Sequence, residues 1–168
     1  MLNMLVIALW PVLCTAGGEP PMDPVEAKNN LKLDQLYAGS QCGDGNEAQA
    51  QWISTQAQLE ALYKNLRKGK IGGAENATPG VDFDNNGVLY ISMGQRRTGG
   101  YGVKLLEDSL TLGDNAAIVK IHWLEPAPGA IQIQVITSPC LLVKVPLGKF
   151  SRIEVFDQAQ VSRYSLVL

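Results

Sequence analysis

Beyond Gly80 the chain breaks into short runs of branched and aromatic residues, and this spacing constrains the fold more than any other feature. Val88–Ile91, Tyr101–Leu106, Ala117–Trp123, Ile131–Ile136, Leu141–Val145 and Arg152–Phe156 are separated by clusters of Gly, Pro, Asn and Asp. Runs of that length at intervals of about a dozen residues predict strands joined by tight turns. Val161–Leu168 adds a final strand. Ile131-Gln132-Ile133-Gln134-Val135 alternates cleanly, which predicts a strand with one buried and one wet face. Leu31–Tyr37 alternates at its start and enters the same sheet. One helix stands out against this pattern. Thr55 and Gln58 have the spacing of a capping box, in which each side chain satisfies the other's free backbone donor. Leu59, Leu62, Tyr63 and Leu66 then fall on one apolar face. Arg67 and Lys68 suit the carboxyl end of the helix dipole, and Gly69 suits a left-handed stop. The fold class expected is α+β: a mainly antiparallel β-sheet or flattened barrel with one amphipathic helix packed against it.

The first residues read as an address. Leu2–Leu13 is almost wholly apolar and ends in Cys14-Thr15-Ala16, the length of a signal-peptide core with small residues at a cut after Ala16. The run is too short to cross a bilayer as a helix, which takes about 20 residues. Cys14 offers lipid attachment as the alternative, although Leu13 stands where a lipoprotein signal takes a small residue. Residues 17–30, with Pro20-Pro21 and Pro24, read as a linker, and residues 31–168 as one globular domain. The expected location is exported, periplasmic or secreted, with a lipid-anchored envelope protein as the alternative. The mature chain has no transmembrane span in this reading. Export leaves Cys42 and Cys140, which an oxidising compartment invites to pair; two buried thiols are the other option.

Composition and motifs argue against bond chemistry. Hydrophobic residues make up 46% and charged residues 18%, enough for a core and too few charges for disorder. The 14 basic and 16 acidic residues are interleaved, for a net charge of -2, so no stripe exists to follow a nucleic-acid backbone. Gly43-Asp44-Gly45-Asn46-Glu47-Ala48 has the spacing of a dinucleotide loop, but its acidic residues would repel a pyrophosphate and no βαβ unit follows. Gly94–Gly99 has the outer spacing of a phosphate loop but lacks the lysine, the hydroxyl and the helix. Asp82-Phe83-Asp84-Asn85-Asn86-Gly87 resembles the opening of a calcium loop, yet its twelfth position is Met93 instead of a bidentate glutamate. A strand-entry turn accounts for the same residues. His122 is the only histidine and lies in an apolar strand, which points to a structural role. Catalytic residues, metal ligands and cofactors are therefore all expected to be none.

What remains is the corner Met93-Gly94-Gln95-Arg96-Arg97-Thr98-Gly99-Gly100-Tyr101, between strands at Gly87–Ser92 and Gly102–Leu106. Glycines at 99 and 100 free the backbone beside two arginines and a tyrosine. Arginine and tyrosine are the side chains that most often carry interface energy. Arg96, Arg97, Thr98, Gly99, Gly100 and Tyr101 are thus the candidate partner-binding residues, the alternative being a hairpin turn that keeps its arginines in water.

The stretch Val81-Asp82-Phe83, Val88–Met93 and Gly94–Tyr101 resembles the carboxyl-terminal domain of the PrcB proteins. So does Pro128-Gly129 leading through Gln134–Pro139 to Val143-Lys144-Val145-Pro146. The resemblant region is 79–157, and its most specific element is Thr98-Gly99-Gly100-Tyr101 followed at a distance by Thr137-Ser138-Pro139. PrcB proteins are protease-complex subunits of exported bacterial proteins and lipoproteins. The resemblance implies a non-catalytic accessory whose partner is a protein, a protease included, which it binds or stabilises through the 96–101 turn. It departs at Cys140, where the family usually has an aromatic residue; a Cys42–Cys140 bridge would replace that contact. The Thr-Gly-Gly-Tyr corner also resembles the loop that chagasin-type inhibitors present to cysteine proteases. A secreted protease inhibitor using the same loop is therefore the alternative function.

Overall fold

The runs Val88–Ile91 and Leu141–Val145 have no polar face, the pattern of strands covered on both sides, and this decides the layering. The computed structural model describes residues 31–43, 45–66 and 78–168. In order, its elements are β1 (Leu31–Lys32), β2 (Asp34–Gly39), β3 (Gln49–Ile53), α1 (Gln56–Leu66), β4 (Asn86–Ser92) and β5 (Gly102–Leu105). There follow β6 (Ser109–Gly113), β7 (Ala116–Leu124), β8 (Cys140–Pro146), β9 (Arg152–Asp157) and β10 (Ser162–Val167). They form a four-stranded sheet, β2-β8-β4-β3, and a six-stranded sheet, β1-β6-β7-β9-β10 with β5 also on β7.

β4 and β8 occupy the middle layer. Leu89, Ile91, Met93, Leu141, Val143 and Val145 point towards the six-stranded sheet, where they meet Val103, Leu110, Val119, Ile121, Trp123, Ile153 and Val155. The alternate residues Val88, Tyr90, Cys140 and Leu142 point the other way, onto Leu59, Tyr63 and Leu66 of α1. Fully burying each such side chain contributes about 1.5–3 kcal/mol, so these two faces supply most of the driving force. The molecule is a two-sheet sandwich with a helix laid on one outer face.

The helix begins as its cap predicts, with one change. The Gln58 amide donates to Thr55 Oγ1 at 3.3 Å, but the Gln58 side chain reaches back to the Ser54 amide (3.0 Å), not to Thr55. Leu62, on the predicted face, is half-buried. The expected stop at Arg67, Lys68 and Gly69, the signal segment 1–16 and the linker 17–30 lie outside the described residues. Among the described residues no helix is long and apolar enough to cross a membrane.

Two expectations are corrected. Neither sheet closes into a barrel. The first strand turns from one sheet into the other at Leu33, whose amide donates to the Asp108 carbonyl at 2.7 Å. Beyond that point β2 and β5 approach without hydrogen-bonding, so both sheets keep open edges. The pairing is mainly antiparallel, as expected, with one exception: β7 and β9 run parallel, with β8 crossing into the opposite sheet between them. The second correction is that Ile131–Ile136 is not a strand. It follows a turn at Pro128-Gly129 and precedes Pro139, and it takes part in no ladder among the described residues; the strand starts only at Cys140. β6 was not foreseen. Its hairpin to β7 turns on Asp114 and Asn115, both at positive φ (45° and 60°), as a two-residue turn of that kind requires.

The calcium-like loop is a turn held by its own aspartate. Asp82 accepts the Asp84 amide (3.1 Å) and Asn85 Nδ2 (2.8 Å), and its carbonyl accepts the Asn86 amide (3.0 Å). The Asn85 hydrogen bond, with that of the Asp84 amide, holds its carboxyl below the usual range.

Candidate functional site

The corner 93–101 leaves the four-stranded sheet at Ser92 and enters the six-stranded one at Gly102, so it caps one end of the sandwich. Its base is fixed at several points. The Met93 amide donates to the Pro139 carbonyl (2.9 Å), and the Gly94 amide to Ser92 Oγ (3.0 Å). Arg96 and Thr137 exchange both backbone hydrogen bonds, at 2.7 and 2.9 Å. Thr137 Oγ1 donates to the Thr98 carbonyl, and the Gly99 amide to the Ile133 carbonyl at 2.9 Å. From the far side Ser138 Oγ donates to the Gly43 carbonyl (3.0 Å), and the Cys42 amide to the Ser138 carbonyl (2.9 Å). Cys42 and Cys140 are joined by a disulfide with Cα atoms 5.8 Å apart, which ties this second loop to the start of β8. Tyr164 of β10 spans the sheets by donating to the Ser92 carbonyl (3.2 Å).

Two glycines make the path possible. Gly94, at φ +69°, passes against the backbone of Asn46, Glu47 and Ala48 with no room for a Cβ. Gly100, at φ +86°, lies as close to the Gln132 side chain, with Pro126 a little farther off. Only glycine takes that φ without strain.

The candidate residues divide between inside and outside. Arg96 turns inward, its guanidinium 5.2 Å from the centre of the Tyr101 ring, and its Nε is buried with no hydrogen-bond partner. Tyr101 is half-buried and packs on the main core beside Val103 and Trp123. Burial pushes the nearby Tyr164 hydroxyl above its usual range, against the opposing pull of the Arg96 and Arg163 charges. Thr98 and Gly99 are half-buried, spent on backbone contacts to Thr137 and Ile133. Gly100 is exposed. Arg97 points into solvent and has no ion-pair partner among the described residues.

Behind the corner a cleft of about 350 Å³ opens where β2 and β5 diverge, lined by Gly39, Ser40, Tyr101, Val103, Lys104 and Leu124. In front of it stands a neighbour that sequence reasoning placed in a sheet: Ile131, Ile133, Val135 and Ile136 are all exposed. The signal that could have found them is the pair of prolines, Pro128 and Pro139, that isolates the alternating run. His122 is half-buried on β7 opposite Lys104 of β5, and its side chain makes no hydrogen bond among the described residues.

No curated protein and no solved structure matches the chain. A family model does: the one described as PrcB C-terminal, over residues 88–146. That span is shorter than the resemblant region read from the sequence, but it holds β4 from Val88 on, the whole corner, the exposed run and β8. From Val88 to Pro146, then, the chain is similar to the PrcB C-terminal family, the family that its sequence resembles.

Proposed function

We propose that the protein is an exported, non-catalytic accessory of a protease complex, and that the 96–101 corner is where it meets its partner. The match to the PrcB C-terminal family model supports association with a protease complex, and the disulfide suits an oxidising compartment outside the cytoplasm. One observation carries the choice of the corner. Its backbone is pinned on both sides, Arg96 and Tyr101 are locked against the core, and the next residue, Arg97, is left exposed and unpaired. A loop ordered before binding loses little entropy on binding, which turns more of each contact into affinity. An arginine presented from such a loop can form a two-pronged hydrogen bond with a carboxylate.

The test is capture from an envelope extract by the immobilised domain, with bound proteins identified by mass spectrometry. Wild type should retain a proteolytic subunit, and Arg97→Glu should lose it by about ten-fold or more, the scale of an interface hot spot. The thermal midpoint should not move. Full retention by folded Arg97→Glu would remove the corner from the interface. Nanomolar inhibition of the captured protease would make the domain an inhibitor instead of a scaffold.

A further inference from the structure

Ile131–Ile136 has the composition of a strand and the hydrogen bonding of an unfinished one. Among the described residues the amides of Ile131, Gln132, Ile133, Gln134 and Ile136 donate to nothing. The Ile133 carbonyl accepts the Gly99 amide, and also the Val135 amide in a three-residue turn that bends the run at Gln134. Gln41 Nε2 donates to the Ile136 carbonyl. The side chains are as unpartnered as the backbone: Ile131 is 101% exposed, Ile133 78%, Ile136 58% and Val135 43%. Scattered exposed apolar residues are ordinary, but several in one short run mark a surface that something covers.

Charge indicates what covers it. From Met93 to Leu106 the chain holds Arg96, Arg97 and Lys104 and no acidic residue, and from Pro126 to Pro139 it holds no charge at all. Two carboxylates adjoin this end, Glu47 beside Gly94 and Glu125, which accepts the Trp123 indole N–H, so the charges it leaves open to a partner include the cations Arg97 and Lys104. Neither Arg97 nor Lys104 is ion-paired among the described residues. A second copy laid on the same run would bring like charges together. A strand carrying carboxylates would meet both arginine and lysine.

We propose that Ile131–Ile136 is a receiving edge for strand addition, and that its occupant is an extended partner segment alternating apolar and acidic residues. The inference rests on the corner being a binding face and specifies what that face takes. The partner's backbone would satisfy the free amides, its apolar side chains would cover Ile131 and Ile133, and its carboxylates would reach Arg97.

The experiment titrates the domain with three fluorescent peptides of about nine residues, long enough for one strand. They are alternating Val and Glu, alternating Val and Lys, and the Val–Glu peptide with N-methylated alternate amides. The Val–Glu peptide should bind and should protect the amides of Ile131–Gln134 from hydrogen exchange. The other two should bind at least about ten-fold more weakly, a difference of about 1.4 kcal/mol. Ile133→Asp should lose the Val–Glu peptide by a similar factor with an unchanged thermal midpoint. No binding, equal binding of the Glu and Lys peptides, or binding without amide protection would overturn the proposal. So would a dimer in sedimentation velocity that Ile133→Asp abolishes, which would assign the edge to a second copy. Partner capture separates the two levels: retention by Ile133→Asp with loss by Arg97→Glu sinks the strand and spares the corner. Retention by both sinks the corner itself.

Discussion

Arg96 and Arg97 are neighbours with opposite assignments. Arg96 is held over the Tyr101 ring with its Nε buried, so Arg96→Ala should cost about 1 kcal/mol of stability in urea unfolding through lost cation–π contact and lost packing. Arg97 touches nothing that an alanine would miss, and Arg97→Ala should fall within about 0.5 kcal/mol of wild type. A reversed order would mean that the two guanidinium groups have exchanged roles. Gly94 is less forgiving. A methyl group there meets the backbone of residues 46–48 at a φ that alanine resists, so Gly94→Ala should destabilise by about 2–3 kcal/mol in the same assay. That this corner holds arginines, glycines and a tyrosine was legible in the sequence because residue type announces them. Which arginine faces out was not, since two adjacent residues in an irregular loop have no period to separate them.

At the scale of elements, the β9–β10 turn is built on one buried carboxylate. Asp157 is 1% exposed, and it accepts the Ala159 and Val161 amides (2.8 and 2.9 Å) and the Arg163 guanidinium (2.7 Å). Burial alone would raise its pKa. Hydrogen bonds from the Val161 amide, the Arg163 side chain and the Ala159 amide outweigh that and hold the carboxyl below the usual range. A group depressed on folding adds stability above its unfolded pKa of about 4 and loses that contribution as the pH falls through the folded value. Asp157→Asn should therefore lower the thermal midpoint at pH 7, and the gap from wild type should shrink steadily as the pH is lowered below about 4. A gap independent of pH would contradict this account. The disulfide is the other element-level brace. Joining residues 98 apart, it constrains the unfolded chain by about 4–5 kcal/mol on the loop-closure account, so Cys42→Ala with Cys140→Ala should lose stability of that order in urea unfolding. Strands β4, β8 and β9, the helix face and the cap were legible because each is written in a local pattern. Ile131–Val135 misled because alternation says that two faces differ, not that a neighbouring edge exists to pair with. β6 was missed because Leu110 and Leu112 alternate over too few residues to register without the Asp114-Asn115 turn that ends them.

The whole molecule sets where the corner sits. The parallel β7–β9 pair and the transfer of the first strand at Leu33 depend on contacts distant in sequence, so neither was legible. Together they place the crossing from β4 to β5 at the end of the sandwich, beside the exposed isoleucines. The central claim is that this end, and not the helix face, meets the partner. A photo-crosslinking residue placed at position 97, or at the exposed Glu60 of α1, tests it most directly in the native envelope. The account predicts a crosslink to a proteolytic subunit from position 97 and none from position 60. A crosslink from position 60 with none from position 97 would contradict it.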